Sequence, residues 1–101
     1  MSKSHFFSVK LPLQIMKEGN VFVAYCPALD IATQGNTFAE AQKMFAELVG
    51  VFFEELEAKG TTDNVLTQCG WKKIPRQHRW EPPEVHLIKE INQEISVPCP
   101  A

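Results

Sequence analysis

The sequence contains no apolar run long enough to cross a membrane as a helix, which takes about 20 residues. Its opening segment, MSKSHFFSVKLPLQIMKEG, has no uninterrupted apolar stretch and no small-residue cleavage site, so no secretory signal is predicted. Cysteine is scarce: Cys26, Cys69 and Cys99 are widely spaced and form no C-x-x-C pair. Such thiols are typical of a reducing compartment rather than of a disulfide framework. We therefore predict a cytoplasmic protein.

An excess of positive charge is also missing. The chain has 10 Lys and Arg against 12 Asp and Glu, a net charge of −2. A protein that binds nucleic acid irrespective of its sequence is usually basic overall, so a general nucleic-acid-binding function is not favoured. With 101 residues, 45% hydrophobic and 22% charged, the sequence has the composition of one soluble globular domain with a single core.

The first third of the chain predicts three strands. Apolar and polar residues alternate over residues 7–15, which indicates a strand with one buried face, and Pro12 leaves that strand an open edge or a bulge. A turn at residues 17–20 follows. Residues 21–26 are apolar at every position and predict a central strand covered on both sides. Residues 30–34 predict a shorter third strand that ends at Gly35.

A long helix is predicted next, because Thr37 and Glu40 have the spacing of a capping box. Apolar residues then recur every three or four positions, as in an amphipathic helix. We expect the helix to reach about Lys59 and to end at Gly60, with a short helix following as far as about Cys69. The apolar stripe consists of Phe38, Ala41, Phe45, Leu48, Phe52 and Leu56.

The last thirty or so residues differ from the rest of the chain in composition and pattern. The segment WKKIPRQHRWEPPE contains three prolines and predicts an extended connection. Beyond it, apolar residues of one parity predict a long strand over residues 84–97. The predicted fold class is α+β: a small antiparallel sheet in β-β-β-α-β order, backed by one long helix. Residues 1–70 form its core, and residues 71–101 form an arm and strand of the same domain or an oligomer contact.

The segment VFVAYCPALDIATQGNTFAEAQKMFAELVGVFFEEL, residues 21–56, resembles the HicB-like domain of HicA–HicB toxin–antitoxin systems. The shared features are an aromatic-rich strand running into CPALD, then ATQG, then a capped helix opening with T-x-x-E-A. The resemblance implies a partly degraded RNase H-like sheet with one helix. It also implies an antitoxin that binds a small toxin, itself an mRNA-cleaving, RNA-binding protein. Residues 71–101 predict no recognition helix, so the chain is similar to a short form without a DNA-binding domain, and DNA binding is not expected.

Four glutamates on the long helix are the candidate partner-binding residues. A basic, HicA-type toxin would be attracted by them, because complementary charge speeds encounter and fixes orientation. The alternative is an ordinary solvated helix face. The four residues are Glu40, Glu47, Glu54 and Glu55.

The motif YCPALDIATQG offers a cysteine and an aspartate to be weighed as catalytic groups. Cys26 ends an apolar strand without a basic neighbour, which favours a buried structural thiol over a nucleophile. Asp30 could be a remnant of a nuclease site, but a two-metal site needs several carboxylates and the strands add only Glu18. We expect Asp30 to bond backbone amides at a corner of the sheet. No enzymatic activity, catalytic residue or cofactor is predicted.

No metal site is predicted either, because no histidine stands two to four residues from another histidine or from a cysteine. The histidines concerned are His5, His78 and His86.

Two tryptophans bracket a run of basic residues from Trp71 to Trp80. This strip could bind RNA by stacking and by phosphate contacts, which is the alternative function. The tryptophans could instead pin the arm to the sheet while the basic residues face solvent. Either tryptophan could also anchor a subunit interface. The candidate RNA-binding residues are Trp71, Lys72, Lys73, Arg76 and Arg79.

The final predicted strand also predicts self-association. It is longer than the core strands and follows a Pro-rich arm, so its apolar face would be buried best against another copy. We expect a homodimer or a larger even-numbered oligomer. The candidate interface residues are Trp80, Val85, Leu87, Ile91, Ile95 and Val97.

Overall fold

The computed structural model describes residues 8–77 and 79–99. Phe7 of the first predicted strand, and His5 and His78 among the weighed zinc ligands, lie outside these ranges. The described elements are strands β1 (Gln14–Glu18), β2 (Val21–Cys26) and β3 (Ile31–Gly35), helices α1 (Phe38–Lys59) and α2 (Thr62–Gln68), and strands β4 (Lys72–Ile74) and β5 (Arg79–Glu81). A single 3₁₀ turn, Pro75–Gln77, links β4 to β5. The α+β fold class is confirmed.

The first three strands form an antiparallel sheet in the order β1-β2-β3. Gly19 closes the first hairpin with φ of 60°, a conformation that glycine adopts without steric cost. Strand β1 begins at Gln14, later than predicted. Pro12 has no N–H to give to a ladder, and residues 8–13 precede the paired region. Their alternation still holds in burial, since Val9 and Leu11 pack partly against the core.

Helix α1 is capped as predicted. The Glu40 backbone N–H donates to Thr37 Oγ1 at 3.0 Å, and the Asn36 N–H donates to Glu40 Oε1 at 3.2 Å. The helix ends at Gly60, whose φ of 67° gives the left-handed cap. Phe38 was expected on the buried stripe but is 55% exposed. The close contact between helix and sheet begins one turn later, where Ala41 meets Gly35, so Phe38 lies short of the sheet.

The core lies between the sheet and the two helices. Alternate residues of β2, Ala24 and Cys26, point towards α1 and are fully buried. Leu66 of α2 closes the core from one end, and Trp71 enters it directly after α2. The complete set of buried apolar residues is Ala24, Cys26, Ala28, Leu29, Ala41, Phe45, Leu56, Leu66 and Trp71.

The C-terminal segment differs from its prediction in two ways. The connection expected to be irregular contains a short hairpin, in which Lys73 pairs with Trp80. The long strand expected over residues 84–97 does not form; residues 84–99 are exposed and carry neither helix nor strand. A strand requires a neighbouring strand to exchange hydrogen bonds, and residues 84–97 pair with no strand among the described residues. The last strand is therefore β5.

The shape of the molecule reflects this projecting segment. The principal extents are 57 × 31 × 28 Å, and the radius of gyration is 17.1 Å. A compact domain of this length would have a radius of gyration of about 13 Å. Within the described residues, no helix has the length and apolar character needed to span a membrane.

Candidate protein-binding surface on the long helix

One side of α1 carries a stripe of exposed residues, which we call the α1 stripe. Its members recur at steps of three and four, so they lie along one side of the helix. They are not on the side that holds Ala41, Phe45 and Leu56 in the core. The α1 stripe consists of Glu40, Met44, Glu47, Val51, Glu54 and Glu55.

Two apolar side chains lie within this acidic stripe. Met44 is 42% exposed and Val51 is 52% exposed, although both are apolar. An apolar centre with a charged rim is the usual composition of a protein–protein interface. The glutamates were predicted from the sequence, but these two residues were missed. Their seven-residue spacing, out of phase with the core stripe, was the signal that could have revealed them.

The α1 stripe is acidic overall. Glu40 accepts a hydrogen bond from the Asn36 backbone at 3.2 Å, which supports the helix start. Among the described residues, the ion pairs join Lys73 to Asp63, Arg79 to Glu81 and His86 to Glu84, and none of these involves a stripe glutamate. Lys43, three positions after Glu40 and four before Glu47, offsets part of the negative charge.

The corner between β2 and β3 is structural. The N–H of Asp30 donates to the carbonyl of Cys26 at 2.8 Å, and Asp30 has φ of 54°. The Asp30 carboxylate was expected to bond backbone amides, but it accepts the Tyr25 hydroxyl at 2.8 Å. The register is consistent with this contact, since Tyr25 pairs with Ala32 and Asp30 lies two residues before Ala32. Cys26 is fully buried, in agreement with a structural thiol.

The Tyr25–Asp30 contact changes the acidity of the phenol. The hydrogen bond to the Asp30 carboxylate, assisted by partial burial and by the negative charge, raises the pKa of Tyr25 above its ordinary value.

The nuclease hypothesis gains no support from the geometry. Across residues 8–77 and 79–99, no group of three or more His, Cys, Asp or Glu side chains is placed to hold a metal ion. Asp30 has Tyr25 as its partner, and Glu18 lies at the other end of the sheet, beside the first hairpin turn. His86 is exposed, with its Nε2 3.7 Å from Glu84 Oε2.

The Trp71–Trp80 strip does not present two stacking surfaces. Trp71 is only 3% exposed, and its indole N–H donates to the Ala28 carbonyl at 2.8 Å. Its ring also meets Phe53 edge-on, with centroids 6.0 Å apart. Trp71 therefore holds the hairpin against the β2–β3 corner, as the pinning interpretation expected.

Trp80 is half-buried and packs partly against the core. The Lys73 ammonium lies 5.7 Å from the centre of its ring and 3.3 Å from Asp63. Of the basic residues, Lys72 and Arg76 are exposed, and Arg79 pairs with Glu81 at 3.5 Å. The strip is thus a hairpin with basic edges, and RNA binding by it stays a prediction.

No protein family model, curated protein or solved structure matches the chain. The resemblance to HicB-like domains therefore rests on residues 21–56, and the exposed surfaces carry the functional argument.

Proposed function

We propose that this chain is a HicB-like antitoxin, or a binding protein derived from one, that acts in the cytoplasm by covering a small basic RNA-cleaving toxin. The α1 stripe is the observation that carries the proposal. It combines exposed carboxylates with the exposed side chains of Met44 and Val51 on one helix. No catalytic step by this chain is required.

The dimensions of the α1 stripe suit a small partner. Glu40 and Glu55 lie fifteen positions apart in a helix, which corresponds to roughly 22 Å. The glutamates would steer a basic surface towards the helix, while Met44 and Val51 would be buried on contact. A toxin that uses basic residues to hold RNA would lose access to RNA once those residues face α1.

The experiment is co-production of this chain with the product of the adjacent gene. We expect the product of the adjacent gene to be a small basic protein that arrests growth when it is produced alone. The wild-type chain should relieve this arrest and co-purify with that protein. Reversing two stripe charges, Glu47→Lys with Glu54→Lys, should weaken the complex roughly tenfold or more. Replacing the apolar centre, Met44→Ser with Val51→Ser, should weaken it as well.

Glu57→Lys is the matched control. Glu57 is exposed on the same helix, but the 3.6-residue periodicity places it on a different side from the α1 stripe. Its reversal should leave the complex and the relief of growth arrest unchanged. An adjacent product that never arrests growth, or a complex equally weakened by all three variants, would contradict the proposed surface.

A further inference from the structure

Residues 84–97, which we call the C-terminal arm, expose an unusual amount of apolar side chain. Six large aliphatic residues lie within this short segment. Their exposed fractions are Val85 39%, Leu87 69%, Ile88 95%, Ile91 61%, Ile95 69% and Val97 71%. Exposed apolar side chains in this concentration mark a surface that is covered by something else.

The arm leaves its own domain at Pro82 and Pro83. Both prolines are half-buried, and Pro83 lies against Gly70, 3.5 Å from the position that a Cβ on that glycine would take. Two consecutive prolines fix the direction of the chain, because each ring restricts φ. From Glu84 to Cys99 every residue is exposed, and residues 84–86 lie beside Lys10 and Pro12 at the start of the arm.

The face of the three-stranded sheet opposite α1 carries apolar residues that are only partly covered. Ala24 and Cys26 point towards α1 and are fully buried, so the alternate residues of β2 point to the opposite face. On that face Val21, Val23 and Tyr25 are partly buried, and Met16 on β1 is 46% exposed. The strand register adds the polar side chains of Gln14, Glu18 and Gln34. The sequence predicted a β2 strand covered on both sides, and the structure covers this side only in part.

We propose that the C-terminal arm of one copy lies across this sheet face of a second copy, and that the exchange is reciprocal around a two-fold axis. Each copy supplies one arm and one receiving face, so the contact closes at two chains. The proposal does not depend on the toxin, because it uses neither α1 nor its glutamates.

The size of the sheet face limits the area of such a contact. Strand β2 has six residues and is about 20 Å long, and three strands span about 14 Å, so the face measures roughly 280 Å². Two arms that each cover one face would bury on the order of 1,000 Å² in total, near the lower limit for a specific interface.

The distribution of charge on the arm also favours this occupant. Leu87, Ile91 and Ile95 have one parity, together with Lys89 and Gln93, whereas Ile88, Glu90 and Glu94 have the other. An extended arm can therefore place three aliphatic residues on the sheet face and leave both glutamates in solvent. The receiving strand β2, with the sequence VFVAYC, carries no charge, and Glu18 lies at the end of the face, opposite Val21.

The test measures molar mass by light scattering and the dissociation constant by sedimentation, on full-length chains. We expect wild type to have twice the 11.4 kDa mass of one chain. The arm variant Leu87→Ser/Ile91→Ser/Ile95→Ser and the face variant Met16→Glu should each raise the dissociation constant at least tenfold. All four positions are exposed in the single chain, and circular dichroism checks that the fold is kept. The matched control is Ile88→Ser. Ile88 is the most exposed aliphatic residue of the arm, but in an extended arm it points away from the side that holds Leu87, Ile91 and Ile95, so its loss should have little effect.

Mixing the two variants distinguishes exchange from other arrangements. In a mixed dimer, the intact arm of the face variant meets the intact face of the arm variant, so one of the two contacts is restored. We expect the mixture to dimerise more tightly than either variant alone.

A monomeric wild type would overturn the proposal. A dimer that survives the arm variant would exclude the arm. A dimer lost with the arm variant but kept with Met16→Glu would exclude the sheet face as its receiving surface. A wild-type chain that dimerises only together with the toxin would show that the toxin is the occupant.

Discussion

At the scale of single residues, the β2–β3 corner shows how one side chain can be mistaken for a catalytic group. Asp30 follows a buried strand and has a positive φ, both of which are common at functional sites. Its carboxylate is nevertheless engaged with the Tyr25 hydroxyl at 2.8 Å. Aspartate is among the residues that adopt this backbone conformation most readily, so the geometry of the turn alone accounts for it.

The Tyr25–Asp30 pair predicts a high phenol pKa. Tyr25 is the chain's single tyrosine, so ultraviolet absorbance of the phenolate follows this residue alone. We expect its titration midpoint above the ordinary value of about 10, because the Asp30 carboxylate favours the protonated phenol. Glycine adopts the positive φ of this position readily, so Asp30→Gly should keep the turn and lower the midpoint towards the ordinary value, with Asp30→Asn in between.

The same pair links folding to alkaline pH. The folded chain keeps its phenol proton to higher pH than the unfolded chain does. The resulting stabilisation is present below the unfolded pKa and is lost as pH rises through the folded pKa. Urea denaturation from pH 9 to about 11 should show a steeper loss for wild type than for Asp30→Gly. Equal slopes, or an unshifted wild-type midpoint, would contradict the contact.

Trp71 makes a second prediction at this scale. In the wild-type chain the Trp71 indole N–H donates to the buried Ala28 carbonyl at 2.8 Å, and Trp71→Phe removes this donor. We expect the free energy of unfolding to fall by about 1–3 kcal/mol, measured by urea denaturation followed by circular dichroism. Trp80→Phe is the control, since Trp80 is only half-buried, and should have a smaller effect. Equal effects would argue against a special role for Trp71.

At the scale of elements, the close approach of β3 and α1 depends on a glycine. A Cβ on Gly35 would lie 2.6 Å from the backbone nitrogen of Ala41, which leaves no room for a side chain. The strand and the helix that follows it can therefore be joined by a very short connection. The capped start at Thr37 then fixes the direction of α1 over the sheet.

Two glycine-to-alanine changes test this arrangement, because we expect one to lower and the other to raise the free energy of unfolding. Gly35→Ala should lower the free energy of unfolding by about 1–3 kcal/mol, because the methyl group meets backbone atoms that cannot move independently. Gly50→Ala, in the interior of α1 with nothing within 4 Å of the new Cβ, should raise it by about 0.5–1 kcal/mol. Both are measured by urea denaturation. A tolerated Gly35→Ala would show that β3 and α1 are less closely packed than described.

At the scale of the whole molecule, the two proposed contacts use different surfaces with different chemistry. The α1 stripe is acidic with a small apolar centre, whereas the C-terminal arm and its receiving sheet face are mainly apolar. Since α1 packs on the opposite side of the sheet from Val23 and Tyr25, a dimer could bind one toxin on each copy.

This separation predicts different responses to salt. Raising sodium chloride from about 0.1 to 1 M shortens the screening length from about 10 to 3 Å. The complex with a basic toxin should weaken strongly over this range, while the dimer should be unchanged or tighter, because apolar burial is not screened. Calorimetry on the complex and sedimentation on the chain alone provide the two measurements. A dimer that dissociates in high salt would indicate charged contacts instead.

The sequence by itself determined the elements whose signals are local. The apolar run of β2, the capping pair Thr37 and Glu40, and the left-handed Gly60 each depend on neighbours within a few positions. The predicted β2, β3 and α1 therefore agree with the structure to within a residue or two. The acidic residues of α1 were identified for the same reason, since helical spacing alone places them on one side.

Only the tertiary structure decided the features that depend on distant neighbours. The bond from Trp71 to Ala28 joins residues 43 positions apart, which no periodicity can show. Phe38 fits the buried stripe by spacing, but the helix meets the sheet one turn later. The arm has the apolar residues of a strand, yet a strand requires a partner edge, and no strand of the described residues pairs with it. Pattern specifies which face of an element is apolar, and packing decides what covers it.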